Sequence, residues 1–172
     1  ALLPTAEGRW LFQADAEWLK ALKDDLGDQH AFLAPGKEED LNGFTRVIYV
    51  PTAKEKPLEV LCHGLNLIQK AQRAEVVPEV WFVLRGTQAK TAEVLKGQEI
   101  PLHAGLWGLA RCLRLEVPNA VCGCVDLGSD LPKNAKAADL LKRLHSLKTR
   151  RGGKDGVEVE PEILLSSNLL VS

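Results

Sequence analysis

The fold of this chain is predicted first from residues 46–85, RVIYVPTAKEKPLEVLCHGLNLIQKAQRAEVVPEVWFVLR. It begins and ends with short apolar runs, Arg46–Pro51 and Val80–Arg85, whose branched and aromatic residues are typical of buried strands. The segment between them has apolar residues at the three- and four-residue spacing that marks one face of a helix. A strand, a helix and a second strand in this order predict a βαβ unit with parallel strands.

The helix within this stretch is predicted to begin at Pro57, because a proline suits the first helical turn, and to end at about Glu75. Its inward face is predicted from four apolar residues at helical spacing: Leu58, Leu61, Leu65 and Ile68.

Similar runs lie on both sides of this unit. Further strands are predicted at Arg9–Phe12, His30–Ala34 and Val121–Leu127, which brings the number of strands to five. Three more helices are predicted from the spacing of their apolar residues. The first has Trp18, Leu19, Leu22 and Leu26 on one face and ends at Gly27. The next runs from about Leu102 to Glu116 and is stopped by Pro118. The last covers Ala135–Leu147.

Alternating strands and helices predict an α/β fold. We expect a truncated Rossmann-like fold with a mostly parallel sheet of about five or more strands and helices on both faces. All 172 residues are predicted to form one domain, with a flexible loop at residues 148–156 around the basic, glycine-rich TRRGGKDG. The closing segment VEVEPEILLSSNLLVS is predicted to supply one or two further strands.

The composition excludes several classes of protein. With 45% hydrophobic and 26% charged residues, the chain has the composition of a soluble globular domain, and its formal net charge of −1 offers no general attraction to nucleic acid or anionic membranes. It contains neither an apolar run long enough to span a bilayer nor a secretory signal, which predicts a cytoplasmic location. Because the sequence begins at Ala1 and has no methionine, we expect a segment of a longer polypeptide.

A Rossmann-like fold raises the question of dinucleotide binding, which needs a glycine-containing turn after the first strand. That position holds Gln13-Ala14-Asp15-Ala16-Glu17, with no glycine and two carboxylates that would repel a pyrophosphate. Asp15 is instead predicted to cap the first helix. No cofactor is expected in this chain.

Reductase chemistry of the short-chain type would need a tyrosine with a lysine four residues later on a helix. The only tyrosine is Tyr49, which lies in a predicted strand, and the residue four positions later is Ala53. No catalytic residue is therefore predicted.

Metal and nucleophile sites are not indicated either. Cys122 and Cys124 fall on the same face of one strand and are predicted to pack in the core, because no second CxxC or HxxxH accompanies them. All four cysteines are expected to be reduced core thiols. The histidines are scattered along the chain, no GxSxG elbow is present, and surface or capping positions are predicted for them: His30, His63, His103 and His145.

Three segments together resemble the structural subdomain of modular polyketide synthase ketoreductases. They are VWFVLRG at Val80–Gly86, PLHAGLWGLARCLRLE at Pro101–Glu116 followed by Pro118, and GCVDL at Gly123–Leu127. In that family a strand ending in Arg-Gly precedes a helix of the type P-x-x-A-x-L-W-G-L-x-R, a Glu-Pro exit and a strand ending in Asp-Leu. With weaker matches on the amino-terminal side, the resemblance covers roughly residues 8–130.

The resemblance implies a half that does not bind NADPH and that braces the catalytic half of a multifunctional synthase, where the cofactor and the catalytic residues would lie. The implied partners are that catalytic half or neighbouring synthase domains such as a methyltransferase or a dehydratase. Trp107, Arg111 and Arg114 are candidates for an interdomain contact. Gly105 and Gly108, three residues apart, are expected to let their helix approach the sheet closely.

Three other interpretations stay open at this point. The segment could be a pseudo-ketoreductase, a degenerate remnant kept as a scaffold. It could be a small independent α/β enzyme with a site at the carboxyl edge of the sheet, built from polar groups such as Arg85, Asp126 or Gln88. It could also be a protein-interaction domain of an unrelated assembly.

Overall fold

The computed structural model describes residues 8–37, 39–52, 54–85, 103–118 and 120–127, together with the backbone of one further strand at Glu162–Leu165. The elements follow in the order β1 (Arg9–Gln13), α1 (Ala16–Leu26), β2 (Ala31–Leu33), β3 (Phe44–Tyr49), α2 (Pro57–Arg73), β4 (Glu79–Arg85), α3 (Gly105–Glu116), β5 (Cys122–Leu127) and β6 (Glu162–Leu165). The five predicted strands and the first three predicted helices are confirmed, and the closing segment supplies β6.

The six strands form one sheet in the order β2-β1-β3-β4-β5-β6, and every neighbouring pair is parallel. From β1 the chain passes through α1 to β2, which lies on one side of β1. It then crosses β1 to reach β3 on the other side, and continues through α2 to β4 and through α3 to β5. Right-handed crossovers in opposite directions place helices on opposite faces. Two buried clusters lie on the two faces, one under α2 and α3 and one under α1. The predicted α/β fold of truncated Rossmann type is confirmed.

Helix α1 has the boundaries that its sequence predicts. The Asp15 side chain accepts a hydrogen bond from the Trp18 backbone N–H at 2.9 Å, which satisfies one of the free donors at the start of the helix. At the other end Gly27 has a φ of 73°, a left-handed conformation that glycine adopts without steric cost.

The predicted inward face of α2 is wrong for two of its four residues. Leu58 and Leu65 are 71% and 44% exposed, and the helix buries a neighbouring face instead. Its buried residues are Val60, Gly64, Leu67, Ile68 and Ala71. Gly64 belongs to this buried face, and the space there is too small for a larger side chain, because a Cβ at Gly64 would lie 2.6 Å from Leu106.

The expected role of the two α3 glycines is also wrong. A Cβ atom at Gly105 would lie 3.0 Å from the Leu61 side chain of α2 rather than against the sheet, and a Cβ at Gly108 would have no heavy atom of another described residue within 4 Å. The close approach is made by Gly64, where a Cβ would lie 2.6 Å from a methyl carbon of Leu106. Gly64 on α2 and Gly105 on α3 therefore both lie where the two helices approach each other, and the tighter of the two positions is Gly64.

The cysteines divide into two pairs, and all four are free thiols. Cys122 and Cys124 are buried on β5, as predicted, and burial raises the pKa of the Cys122 thiol to about 12, although the charge of Arg114 partly opposes this rise. Cys62 and Cys112 are exposed on α2 and α3, so the prediction of core positions is wrong for them.

Two histidines are buried, against the prediction of surface or capping positions for them. His30 accepts a hydrogen bond from the Trp10 backbone N–H at 3.1 Å, and burial, with a smaller effect of Arg9, lowers its pKa. His103 is 8% exposed.

Several predicted features lie outside the described residues: the helix at Ala135–Leu147, the loop at 148–156, His145 and Gln88. Within the described helices, none combines the length and the hydrophobicity that a transmembrane span requires.

Candidate functional site

In an open parallel sheet, ligands bind outside the carboxyl ends of the strands, at the point where the chain switches direction. Here that switch point lies between β1 and β3, because the connection after β1 leads one way and the connection after β3 leads the other. The side chains that end these two strands are Gln13 and Tyr49, both at most 5% exposed.

The backbone at the end of β1 is hydrogen-bonded to both neighbouring strands. The Ala14 N–H donates to the Leu33 carbonyl at 3.3 Å, and the Gln13 carbonyl accepts from the Val50 N–H at 2.8 Å. The Asp15 carboxylate occupies the first turn of α1. A negative charge therefore sits where a dinucleotide pyrophosphate would need free N–H groups.

At the end of β3, two side chains and one backbone N–H surround the carboxylate of Glu55, which lies in the loop between β3 and α2. The Tyr49 hydroxyl donates to Glu55 Oε1 at 2.8 Å, and His63 Nδ1 lies 3.2 Å from the same oxygen. The second oxygen, Oε2, accepts from the Thr52 backbone N–H at 2.6 Å. His63 is placed by the second turn of α2, and Glu55 by the loop that leads into this helix.

The protonation states within this cluster are set by its contacts. Burial by itself would raise the pKa of Glu55, but hydrogen bonds from the Thr52 backbone, Tyr49 and His63 together hold that pKa below its ordinary value. The pKa of the Tyr49 phenol is raised mainly by burial. The hydrogen bond to Glu55 and the negative charge of Glu55 raise it further. Tyr49 is therefore a neutral donor and Glu55 an ionised acceptor. Because an ionised carboxylate only accepts hydrogen bonds, His63 must carry a hydrogen on Nδ1 and donate it to Glu55.

Replacing Glu55 with glutamine is expected to weaken the pH dependence of stability in the acid range. Since the folded pKa of Glu55 lies below its unfolded value, its stabilising contribution is fully present above the unfolded pKa and is lost as the pH falls through the folded pKa. Urea unfolding at about pH 7 and about pH 3.5 measures this loss. The unmodified chain should lose more stability between these conditions than Glu55→Gln does, and the exposed control Glu75→Gln should behave like the unmodified chain. Equal losses in all three proteins would contradict the prediction.

A second histidine links the start of α3 to the same loop. His103 Nε2 lies 3.0 Å from the Thr52 carbonyl oxygen, and its backbone φ of 67° is a left-handed conformation unusual outside glycine. Its other ring nitrogen, Nδ1, is buried and has no hydrogen-bond partner among the residues that the structure describes. This contact fixes the loop that carries Glu55.

A cleft of about 130 Å³ opens beside this cluster, between α2 and the loop from β2 to β3. Its polar lining comes from both elements and from the end of β1: Gln13, Lys37, Glu39, His63, Asn66 and Lys70. A larger open cavity of about 360 Å³ adjoins it and shares Glu39, Leu41 and Lys70.

The three candidates for an interdomain contact occupy different environments on α3. Trp107 is 6% exposed and belongs to the core, with the Arg111 guanidinium 6.0 Å from its ring centroid. Arg114 donates to the Cys122 carbonyl oxygen of β5 at 2.9 Å. Arg111 is exposed and lies on the outer surface. An interdomain contact by these residues stays a prediction.

The residues proposed for a site at the ends of β4 and β5 are differently exposed. Arg85 is exposed at the end of β4, while Asp126 on β5 is fully buried. Across the described ranges, no group of three or more histidine, cysteine or carboxylate side chains could hold a metal ion.

Sequence reasoning missed the cluster around Glu55. Tyr49 was set aside because it lies in a strand and has no lysine four positions later, and His63 was predicted to be a surface or capping group. Nothing in the spacing joins a strand residue, a loop carboxylate and a helix histidine. The one usable signal was the position of Glu55 in the loop between β3 and α2, which follows a strand end of the kind at which α/β proteins bind ligands.

Comparison with known proteins finds similarity both in sequence and in structure. No protein-family model matches the chain. Polyketide synthase GfsA of Streptomyces halstedii is 25% identical to it over 154 residues, an alignment that covers 87% of this chain and 2% of that protein. An A-type ketoreductase structure from a modular polyketide synthase superposes with a TM-score of 0.61 at 21% identity, over 94% of this chain and 37% of that chain.

The chain is related in sequence to a polyketide synthase and has the fold of part of a ketoreductase. A C2-type ketoreductase from a modular polyketide synthase gives a TM-score of 0.54 at 20% identity, covering 80% of this ketoreductase-like chain and 35% of that structure. The resemblance inferred from residues 80–127 is confirmed. The ketoreductase-like chain spans little more than a third of the solved ketoreductases that it matches.

Proposed function

We propose that the ketoreductase-like chain is a non-catalytic scaffold subdomain of a multifunctional synthase. The observation that carries this proposal is the first turn of α1, where the Asp15 carboxylate caps the helix at the position that a dinucleotide phosphate would occupy. The surroundings of Tyr49 support it, because the phenol is buried in β3 and donates to Glu55, and burial and this carboxylate raise its pKa rather than lower it. Its function is then to hold neighbouring parts of the synthase in place.

The outer faces of α2 and α3 supply a surface suited to this role. The two helices pack side by side on one face of the sheet, and each exposes large apolar side chains to solvent. Leu58 on α2 is 71% exposed and Leu115 on α3 is 84% exposed. We assign this α2–α3 outer surface to contact with the catalytic half of the ketoreductase, because the chain matches only 37% of a solved ketoreductase. Adjacent domains such as a methyltransferase or dehydratase are the alternative partners, within the cytoplasm.

The absence of cofactor binding is tested on the 172-residue chain itself. Titration with NADPH in a calorimeter is expected to give no saturable heat, because Asp15 repels the phosphates, and incubation with NADPH and a model β-ketothioester should consume no NADPH. Saturable NADPH binding, or turnover that rises with protein concentration, would refute the scaffold role.

The bracing surface is tested by replacing Leu58 and Leu115 with glutamine together. In this chain the double variant should unfold within about 0.5 kcal/mol of the unmodified protein, because both side chains are exposed. In the longer synthase polypeptide that includes the catalytic half, it should lower NADPH-dependent reduction about tenfold or more, since each leucine buried at an interface contributes roughly 1.5–3 kcal/mol.

The matched control is a double variant of exposed residues on the opposite face, Glu17→Gln with Lys20→Gln on α1. It should leave the reduction rate unchanged. Full activity in the leucine variant would place the contact with the catalytic half elsewhere.

A further inference from the structure

His30 lies immediately before the edge strand β2, and its imidazole takes part in the pairing of β2 with β1. The ladder between the two strands has only three residue pairs, of which Leu11 opposite Ala31 is the first. Just before this pair, the Trp10 backbone N–H donates to His30 Nδ1 at 3.1 Å. The imidazole therefore extends a short edge pairing by one hydrogen bond.

This contact requires a neutral imidazole. A ring nitrogen that accepts a hydrogen bond carries no hydrogen, so the hydrogen of the neutral His30 ring belongs to Nε2. A protonated imidazole donates from both nitrogens and would direct an N–H group at the N–H group of Trp10. Protonation of His30 and its hydrogen bond to β1 therefore exclude each other, whatever charges surround the ring.

The surroundings of the imidazole also disfavour a charge on it. His30 is 6% exposed, and its ring centroid lies 5.7 Å from that of Trp10 and 5.9 Å from that of Phe12. Burial among these rings is the main reason why the pKa of His30 is lowered, and the positive charge of Arg9 lowers it further. Acid must therefore overcome both effects to protonate the ring.

The charged groups on the elements around His30 offer it no counter-charge. Strand β2 has no charged residue, and Arg46 on β3 is paired with Glu79 on β4 at 2.7 Å. The charged side chains of the last turn of α1 and of the turn after it are exposed: Lys23, Asp24, Asp25 and Asp28. Within the part of the chain that the structure describes, no carboxylate forms an ion pair with His30.

We infer that His30 is an acid-sensitive latch, which holds the edge strand β2 on β1 while its ring is neutral and releases β2 when the ring is protonated. Strand β2 is suited to local release, because it is three residues long, lies at the edge of the sheet and is only half-buried. Its release separates the stacked rings of Phe12 and Phe32, whose centroids are 5.5 Å apart. It also uncovers the backbone groups of β1, an edge to which another strand can add.

The direction of the pH dependence follows from the lowered pKa. Since the folded pKa of His30 lies below its unfolded value, the latch contributes its full stability above the unfolded pKa and loses it as the pH falls through the folded pKa. The latch uses no cofactor and no partner domain, so it does not depend on the scaffold role.

The test is an NMR titration of the isotopically labelled full chain, from about pH 7.5 to about one unit below the pH at which His30 is half protonated. His30 is expected to titrate below the ordinary histidine value of about 6.5. The hydrogen-exchange protection factor of the Trp10 amide should fall about tenfold for each unit by which the pKa is lowered. The amides of β2 should lose protection with it, while those of Trp81 and Phe82 on the central strand β4 should keep theirs.

Two variants assign the effect to His30. His30→Asn keeps an oxygen acceptor for the Trp10 N–H but cannot be protonated in this range, so its β2 protection should not change with pH. His103→Asn removes an imidazole before α3 and should behave like the unmodified chain. The latch is overturned if His30 titrates at or above about 6.5, if β4 loses protection together with β2, or if His30→Asn shows the same loss as the unmodified chain. The first two outcomes are measured on the unmodified chain, so they decide the proposal even if a variant does not fold.

Discussion

Replacing Glu79 with glutamine is expected to lower the free energy of unfolding by about 3–5 kcal/mol, the largest effect that we predict for a single substitution in this chain. Glu79 Oε2 lies 2.7 Å from Arg46 Nε, and the two side chains are 8% and 9% exposed. Removing the carboxylate takes away the negative charge that lies 2.7 Å from this buried guanidinium. The cost of that desolvated charge, rather than the lost hydrogen bond, makes the effect large.

The surroundings of this pair fix its geometry. Arg46 and Glu79 are opposite each other on β3 and β4, the Arg46 guanidinium lies 4.5 Å from the Trp10 ring centroid, and Trp81 Nε1 donates to Glu79 Oε2 at 3.2 Å. Glutamine keeps an oxygen acceptor for Trp81. The predicted loss therefore reports mainly on the charge of Arg46.

A double-mutant cycle separates the pair from its surroundings. Arg46→Met should also be destabilising, while Arg46→Met combined with Glu79→Gln should recover most of the loss and end within about 2 kcal/mol of the unmodified chain, because no buried charge remains. Urea unfolding measures all four proteins. Additive losses in the double variant would show that the two charges do not interact in the folded chain.

Replacing Gly64 with valine is expected to cost about 1–3 kcal/mol, although valine has the higher intrinsic helix propensity. A Cβ at this position would lie 2.6 Å from Leu106 Cδ2 and 3.2 Å from Leu109 Cδ2. Leu106 is fully buried, and buried side chains are closely packed, so it can move only by displacing its neighbours. Valine at this position therefore forces the Leu106 side chain or helix α3 to shift.

Gly108→Ala is the matched control, because a Cβ there meets no other described side chain within 4 Å. This variant should gain up to about 1 kcal/mol from helix propensity alone. Thermal and urea unfolding of the two variants should therefore change in opposite directions. The close packing of α2 on α3 would be disproved if Gly64→Val were as stable as the unmodified chain.

Much of the fold could be predicted because it depends on local sequence. The strand predicted at Val80–Arg85 and the helix caps Asp15 and Gly27 depend only on residues a few positions away in the sequence. They can therefore be recognised without knowing the order of the strands in the sheet. Alternation of these elements then restricts the topology, since parallel strands need right-handed crossovers.

The face of α2 could not be predicted in the same way. Leu58 and Leu65 have the helical spacing of a core stripe, yet they remain exposed while Gly64 and Ala71 are buried. Hydrophobicity indicates which side chains are stabilised by burial. The distances of α2 from α3 and from the sheet decide which face of α2 has space for its side chains in the core. Those distances are a property of all three elements together.

The sequence by itself determined the strands, the helix ends and the absence of a glycine turn after β1, because each is a short-range consequence of residue type. Only the tertiary structure brought Tyr49, Glu55 and His63 together, buried the Arg46–Glu79 pair and opened the cleft between α2 and the loop after β2. These features join residues from elements that are far apart in the chain. Their spacing carries no periodic signal, and their distances are set only when the sheet and its helices pack together.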